Sequence, residues 1–291
     1  FRRVSFGVQD YDETVQKAIN RIQPFENVKN VTEWSREIGY DSISHDIIFG
    51  LPHQKLEHVI NTIEKTKELK PDRIAFYSYA HVPWLAGNGQ RGYNDADLPA
   101  GEEKRTQYEV GKELLLEYGY HEIGMDHFAL ESDSLFKAME NGTLHRNFMG
   151  YTSSNTHLMV GLGASSISDS WYGFAQNVKN VEEYQNLVAN DIIPLYRGHI
   201  LTEEDQIIRR HILNLMCQFQ TSWSVFKLHL PQLDSILDRL KELERDGIVV
   251  ITEGNLRITE KGRPFVRNVC MAFDLPLQDK SPNTKLFSMT V

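Results

Sequence analysis

Residues 42–52 read Ser42-Ile43-Ser44-His45-Asp46-Ile47-Ile48-Phe49-Gly50-Leu51-Pro52, an apolar run built around one carboxylate and closed by a Gly and Pro turn. Such a run predicts a strand of a buried sheet, and a carboxylate inside it needs a ligand or a hydrogen-bond network to hold it. Comparable strand-like segments lie near Arg3 to Gln9, Arg73 to Tyr79 and Tyr120 to Gly124. They are separated by roughly 20 to 40 residues, a spacing that suits βα units better than hairpins. Helical periods fill the gaps, with Val31, Trp34 and Ile38 before Gly39, and Leu56, Val59, Ile60 and Ile63 before Pro71. Asp12 is the expected N-cap of a helix carrying Val15 and Ile19, so Gln9 and Arg21 bracket that helix. The fold class expected is α/β, a partial (βα) barrel with a parallel sheet and outer helices over residues 1–195.

Polar residues collect at the ends of these strands: Gln9, Asp46, Ser78-Tyr79-Ala80-His81 and Gly124-Met125-Asp126-His127-Phe128. That distribution points to a site at a barrel mouth. Pro83 to Asp97 and Glu131 to Thr156 are mixed and polar, and read as loops over it. The character changes at Thr202-Glu203-Glu204-Asp205, a capping box with Asp in place of Glu or Gln. A helical face of Ile207, Ile208, His211, Ile212 and Leu215 follows, then a second helix with Leu233, Ile236, Leu237, Leu240 and Leu243. Two β-rich runs, Ile248 to Thr252 and Leu256 to Thr259, flank Glu253-Gly254-Asn255. Helix, helix, hairpin is a winged-helix order, which assigns residues 196–291 to a small, mostly helical C-terminal domain.

Composition narrows the function classes. The formal net charge of −9 argues against a general nucleic-acid binder, because phosphate binding rests on Lys and Arg neutralisation. The helix from Leu233 to Leu243 carries no basic stripe, so the winged-helix segment reads as scaffold or dimer contact. No apolar run reaches the roughly 18 residues of a membrane helix. The two cysteines, Cys217 and Cys270, form no CxxC motif, and a reducing cytoplasm is the expected compartment. No HExxH or HxH occurs among the eleven histidines, so a metal site made by the protein alone is not expected. Gly161-Leu162-Gly163-Ala164-Ser165-Ser166 lacks the third Gly of a dinucleotide fingerprint and reads as a tight turn near a ligand. Phe1 opens directly into a strand-like run without a signal peptide, so a cut through a longer protein is expected. Taken singly, Asp46 could equally bond a neighbouring loop's backbone, and Gln9 and Arg21 could be surface or capping residues.

Val4-Ser5-Phe6-Gly7-Val8-Gln9-Asp10, Asn20-Arg21, Asp46 to Pro52, Tyr79-Ala80-His81, Gly124 to Ala129, His145-Arg146-Asn147 and Gly262-Arg263 through Arg267-Asn268 resemble, in order, the oxygen-independent coproporphyrinogen III oxidases. The resemblance runs along essentially the entire chain. It implies a radical S-adenosylmethionine enzyme of haem biosynthesis that converts two propionates of coproporphyrinogen III to vinyl groups, giving protoporphyrinogen IX and carbon dioxide. A reduced 4Fe-4S cluster cleaves S-adenosylmethionine in that family, and the resulting 5'-deoxyadenosyl radical takes a hydrogen from the propionate β-carbon.

Carried over position by position, the resemblance makes Gln9, Arg21 and Asp46 contacts to the cluster-bound S-adenosylmethionine. Ala80 and Ile167 match positions that contact a second S-adenosylmethionine through backbone atoms. The family's Cys-x-x-x-Cys-x-x-Cys tract has no match here, so no metal ligand or catalytic residue is assigned in this chain. Met149 stands where the family pattern has Gln. The four substrate carboxylates call for cations at the barrel mouth, where Arg91, His127, His145 and Arg146 are expected; Arg146 is the leading candidate, with a salt bridge to Glu140 or a neighbouring loop as its structural alternative. An electron donor is the implied partner and a monomer the implied state. The haem chaperone branch shares the barrel but differs at Gly124 to Phe128, and a non-catalytic ligand-binding or regulatory fragment is the alternative from a different class.

Overall fold

Strands β1 (Arg3–Gln9), β2 (Ser42–Phe49) and β3 (Arg73–Ser78) pair in parallel. Parallel neighbours require crossovers, and α1 (Glu13–Ala18), α2 (Phe25–Ile38) and α3 (Leu56–Leu69) supply them. Asp12 caps α1 by accepting the N–H groups of Thr14 and Val15, and Gly39, at φ 99°, ends α2 in the left-handed region. The computed structural model describes residues 2–83, 90, 92–224 and 230–275. Two compact units are present, one running to Lys137 and the other starting at Ala138.

Alternation along β2 separates two faces of the first unit's sheet. Ile43, His45, Ile47 and Phe49 are buried, whereas Ser44, Asp46 and Ile48 are half-buried. The buried face packs against α3 and α4 (Gly101–Glu117), where Ile47, Phe49, Ile74 and Phe76 meet Val59, Ile63, Tyr108 and Leu115. Burying each of these larger side chains stabilises by about 1.5–3 kcal/mol. The expected sheet buried on both faces is therefore not what the described chain forms: Asp46 sits in mid-strand on the half-open face, not at a strand end.

The parallel pattern stops after β3. Strands β4 (His121–Gly124) and β5 (His127–Ala129) form a hairpin, and β5 pairs antiparallel with β3. Expectation and structure part here because Met125-Asp126, with Met125 at φ 47°, is too short for any crossover. The resulting order β1-β2-β3-β5-β4 is an open α/β sheet with β1 at one edge.

His45 lies on the buried face, wholly inaccessible, with Nε2 3.0 Å from Thr32 Oγ1 and no partner for Nδ1 among the described residues. Burial, and then the charge of Arg36, pushes its pKa from 6.5 to about 4. A histidine with a lowered pKa contributes stability that is present above its unfolded value and is lost as pH falls through the folded one. Stability in denaturant titrations is expected to drop by up to about 3 kcal/mol between the two values. His45→Gln, which keeps the bond to Thr32 without titrating, should flatten that drop. A pH-independent difference between the two proteins would assign the acid response to other groups.

Helix α5 (Ser134–Glu140) follows β5, and β6 (His145–Asn147) and β7 (Gly150–Thr152) form a hairpin. The stretch from Glu131 to Thr156, expected as loop, thus holds three short elements whose partly exposed faces account for its polar composition. Strands β8 (Leu158–Met159), β9 (Ile167–Ser170) and β10 (Gly173–Asn177), then α6 (Val181–Ala189) and β11 (Leu195–Ile200), complete an antiparallel sheet in the order β11-β10-β9-β8. Residues 195 and 196, where the sequence places a domain edge, open β11, which pairs with β10 inside the second unit.

Thr202 and Asp205 form the expected capping box on α7 (Glu203–Gln218). Strand β12 (Gln220–Ser222), α8 (Leu233–Arg245), β13 (Val249–Thr252), β14 (Asn255–Ile258) and α9 (Val266–Phe273) follow. The helix, helix, hairpin order read from the sequence is observed, and β12 extends the hairpin to three strands by pairing with β14. No helix among the described residues is long and apolar enough to cross a membrane.

Candidate functional site

Gly7 on β1 is the register partner of Asp46 on β2, and three polar side chains gather around it. A Cβ on Gly7 would lie 2.5 Å from Gln9 Nε2 and 2.8 and 3.3 Å from the terminal nitrogens of Arg21. Ser5, two residues back on the same face, donates to Asp46 Oδ1 at 3.0 Å. Burial raises the Asp46 pKa, while the Ser5 hydrogen bond and the charge of Arg21 pull it back. Arg21 donates from Nη2 to the Gly7 carbonyl at 2.9 Å and from Nε to Gln23 Oε1 at 3.3 Å. Among the described residues Arg21 forms no ion pair, and the Gln9 carboxamide has no hydrogen-bond partner. An unsatisfied amide, a cation and a carboxylate thus share one half-open corner, a donor set suited to a zwitterionic amino acid carrying hydroxyls.

The backbone that presents this corner is held from behind. Gln9 itself takes φ 65°, in the left-handed region, and the register of β1 on β2 shifts between Gly7 and Gln9. Asp10, fully buried, accepts the Asp12 N–H at 2.6 Å and Gln54 Nε2 at 2.6 Å. Its pKa is raised by burial, against the pull of those two hydrogen bonds. Gln107 receives the Gly50 N–H and donates to the Gln54 carbonyl, which ties the end of β2 to α4.

Ala80, just beyond β3, is exposed. Its carbonyl accepts from Gln90 Nε2 at 2.9 Å, while Gln90 Oε1 takes the Val82 N–H. Lys104 donates to the neighbouring Tyr79 carbonyl at 3.0 Å, and burial lowers its pKa. His127 is half-buried on β5, edge-on to Tyr77 with ring centroids 5.7 Å apart. Arg91 lies outside the described residues, as does part of the Pro83 to Asp97 segment.

The remaining candidates belong to the second unit. Ile167 opens β9 and lines a cleft of roughly 430 Å³ with Phe148, Phe174 and His199. Gly161 approaches it so closely that a Cβ there would sit 2.7 Å from the Ile167 carbonyl oxygen, which makes the Gly161 to Ser166 turn a support for Ile167. His145 lines a separate cleft of roughly 630 Å³ with Trp171, Arg210 and Asn214; burial and then Arg209 lower its pKa. Arg146 stacks 4.7 Å over the ring of Tyr151, its partner across the β6–β7 hairpin. Among the described residues one of its guanidinium nitrogens, Nη1, is buried without a hydrogen-bond partner, and no salt bridge to Glu140 forms. Met149 is exposed.

These groups fit one cofactor of the expected pair and not the other. The Gly7 corner fits S-adenosylmethionine, because the space a Cβ would fill is rimmed by a cation, an amide and a carboxylate. Fe–S clusters are held by cysteine thiolates, and the tract implied by the resemblance supplies three. The two cysteines are both buried in the second unit, where burial pushes each thiol to about 12, so they do not fit a cluster.

Among known families, the radical SAM superfamily matches residues 1–66 and the HemN C-terminal domain matches residues 201–265. An oxygen-independent coproporphyrinogen III oxidase of Synechocystis sp. is 38% identical over the whole chain, which covers 64% of that protein. The Salmonella typhimurium protein of the same description is also 38% identical, over 97% of this chain and 62% of its own. The solved coproporphyrinogen III oxidase of Escherichia coli, described as a radical SAM enzyme, superposes with a TM-score of 0.89 at 39% identity, over 95% of this chain and 65% of that one. The chain is a homologue of the oxygen-independent coproporphyrinogen III oxidases. It spans a little under two thirds of the length of these relatives. The radical SAM match covers β1, α1, α2, β2 and most of α3, the elements that carry the Gly7 corner, and the HemN C-terminal match covers α7 through β14.

Sequence reasoning selected Gln9, Arg21 and Asp46 but passed over Ser5, Gly7, Gln16 and Gln23. Ser5 and Gly7 were accessible through strand alternation, since residues two apart share a face. Neither Gln16 nor Gln23 carries a local signal, because a buried helical glutamine such as Gln16 looks like a surface one until the loop that holds Gln23 folds back on it.

Proposed function

We propose that this chain belongs to a coproporphyrinogen III oxidase that decarboxylates two propionates oxidatively to vinyl groups, and that the Gly7 corner holds S-adenosylmethionine for that reaction. The observation that supports this most is the meeting of Arg21, Gln9 and Asp46 around a residue that has no side chain. Bound in that corner, S-adenosylmethionine would supply the radical chemistry that removes hydrogen from the propionate β-carbon. Arg21 pairs with the ligand's carboxylate, and Asp46 and Gln9 receive its amino group and ribose hydroxyls. Ala80 and Ile167 contact a second S-adenosylmethionine through backbone atoms.

For the substrate, Arg146 binds a propionate, with His145 and His127 as further polar contacts. The buried, partnerless nitrogen of Arg146 supports that role, since an unsatisfied buried donor costs about 1–3 kcal/mol and a carboxylate would satisfy it. The cluster thiolates and an electron donor come from outside the residues of this chain. Residues 196–291 act as an appended winged-helix-like domain of a cytoplasmic, monomeric enzyme.

The test is S-adenosylmethionine binding by the protein made from its complete reading frame, reconstituted anaerobically. Asp46→Asn is expected to weaken binding by about 1–3 kcal/mol, because it removes the charge and keeps the shape. Equal affinity and equal cleavage in the two proteins would make Asp46 a purely structural partner of Ser5.

A further inference from the structure

Arg21 is the exposed member of the corner, and a long side chain on a loop has many rotamers to lose before it can grip a ligand. Its guanidinium is nevertheless held on two sides, by the Gly7 carbonyl and by Gln23 Oε1. What holds Gln23 is a buried residue one helix away. Gln16, on α1, is only 4% exposed, and its carboxamide forms three hydrogen bonds to backbone. Nε2 donates to the Asp10 carbonyl at 2.9 Å and to the Gln23 carbonyl at 2.8 Å, while Oε1 accepts the Gln23 N–H at 2.9 Å. The Gln16 carbonyl also accepts the Arg21 N–H at 2.9 Å.

We propose that Gln16 is a positioning residue for Arg21. It clasps the end of β1, one residue after Gln9, to the loop that carries Arg21, and so sets the separation between the amide and the cation that face the ligand. A carboxamide is the side chain that can do this, because it offers two donors and an acceptor in one plane, matched here to two carbonyls and one N–H. Glutamate would keep the acceptor and lose both donors, and leucine would keep the volume and lose all three bonds. The inference rests on the reading that Arg21 receives the carboxylate of S-adenosylmethionine, and it deepens that reading by naming what aims the cation.

A structural role alone would weaken every ligand alike, whereas aiming Arg21 affects only ligands with a carboxylate. In the complete protein, Gln16→Leu is expected to lose about tenfold in affinity for S-adenosylmethionine, with decarboxylated S-adenosylmethionine changed by less than about twofold. Arg21→Ala should show the same selectivity, and the double variant should lose little more than either. Equal loss for both ligands, or no loss for either, overturns the proposal. If the unsubstituted protein binds neither ligand, the S-adenosylmethionine reading is what fails, and amide hydrogen exchange then decides on Gln16. In that case Gln16→Leu should reduce protection of the Arg21 and Gln23 amides by about tenfold and leave β2 unchanged, and intact protection at both amides overturns the clasp.

Discussion

Asp133→Asn is expected to destabilise the first unit by about 3–5 kcal/mol, because it leaves a buried guanidinium without its counter-charge. Asp133 is 4% exposed and Arg73 8% exposed, and they meet at 2.8 Å between Asp133 Oδ1 and Arg73 Nε. Further hydrogen bonds hold both groups. Ser42 donates to Asp133 Oδ2 at 2.8 Å, the Leu135 N–H donates to Oδ1 at 2.7 Å, and Arg73 Nη2 reaches Ser134 Oγ at 3.0 Å. The cluster joins the first residues of β2 and β3 to the start of α5. Urea unfolding of the single variant and of Arg73→Met with Asp133→Leu separates two accounts. If desolvation is what makes the pair costly to break, the double variant should recover most of the loss. A double variant as unstable as the single one would mean that the geometry of the cluster, rather than the uncompensated charge, holds these elements together.

The sequence reports the local parts of this architecture well. Asp12, Gly39 and the Thr202–Asp205 box mark helix ends by chemistry confined to a few residues, and all three act as read. The apolar run from Ser42 to Phe49 marks the strand but not its two faces, because His45 on the buried face is as polar in type as Ser44 and Asp46 on the half-open one. The β4–β5 hairpin escaped because its turn, Met125-Asp126, contains none of the Gly or Asn residues that advertise positive φ. For the candidate site, Gln9, Arg21 and Asp46 are named through resemblance; residue type alone leaves each of them ambiguous. The residues that aim them were invisible for a physical reason. Gln16, Gln54 and Gln107 are buried because groups from other segments satisfy their carboxamides, backbone carbonyls for Gln16 and Gln107 and the Asp10 carboxylate for Gln54, and that condition exists only once the chain has folded.

Gly7→Ala is expected to leave the fold nearly as stable as before and to lower S-adenosylmethionine affinity on the order of a hundredfold, about 3 kcal/mol. The added Cβ would meet side-chain ends, Gln9 Nε2 at 2.5 Å and Arg21 Nη2 at 2.8 Å, and no other backbone or core atom comes as close. Gly7 does not occupy the left-handed region, so alanine adds no backbone strain on β1. Flexible ends can swing aside at little cost to folding, and the two groups that would swing are the amide and the cation offered to the ligand. Loss of a charge-assisted bond from Arg21 accounts for about 1.5–3 kcal/mol and displacement of the Gln9 amide for about 1 kcal/mol more. Thermal unfolding and calorimetric titration on the same sample read the two consequences separately. A variant that unfolds at its usual temperature and binds S-adenosylmethionine with full affinity would show that the ligand does not enter the space beside Gly7. A variant that loses stability and binding together would show that β1 cannot accept even a methyl group there. Separation of the two is the result expected of a glycine kept small for the ligand's neighbours.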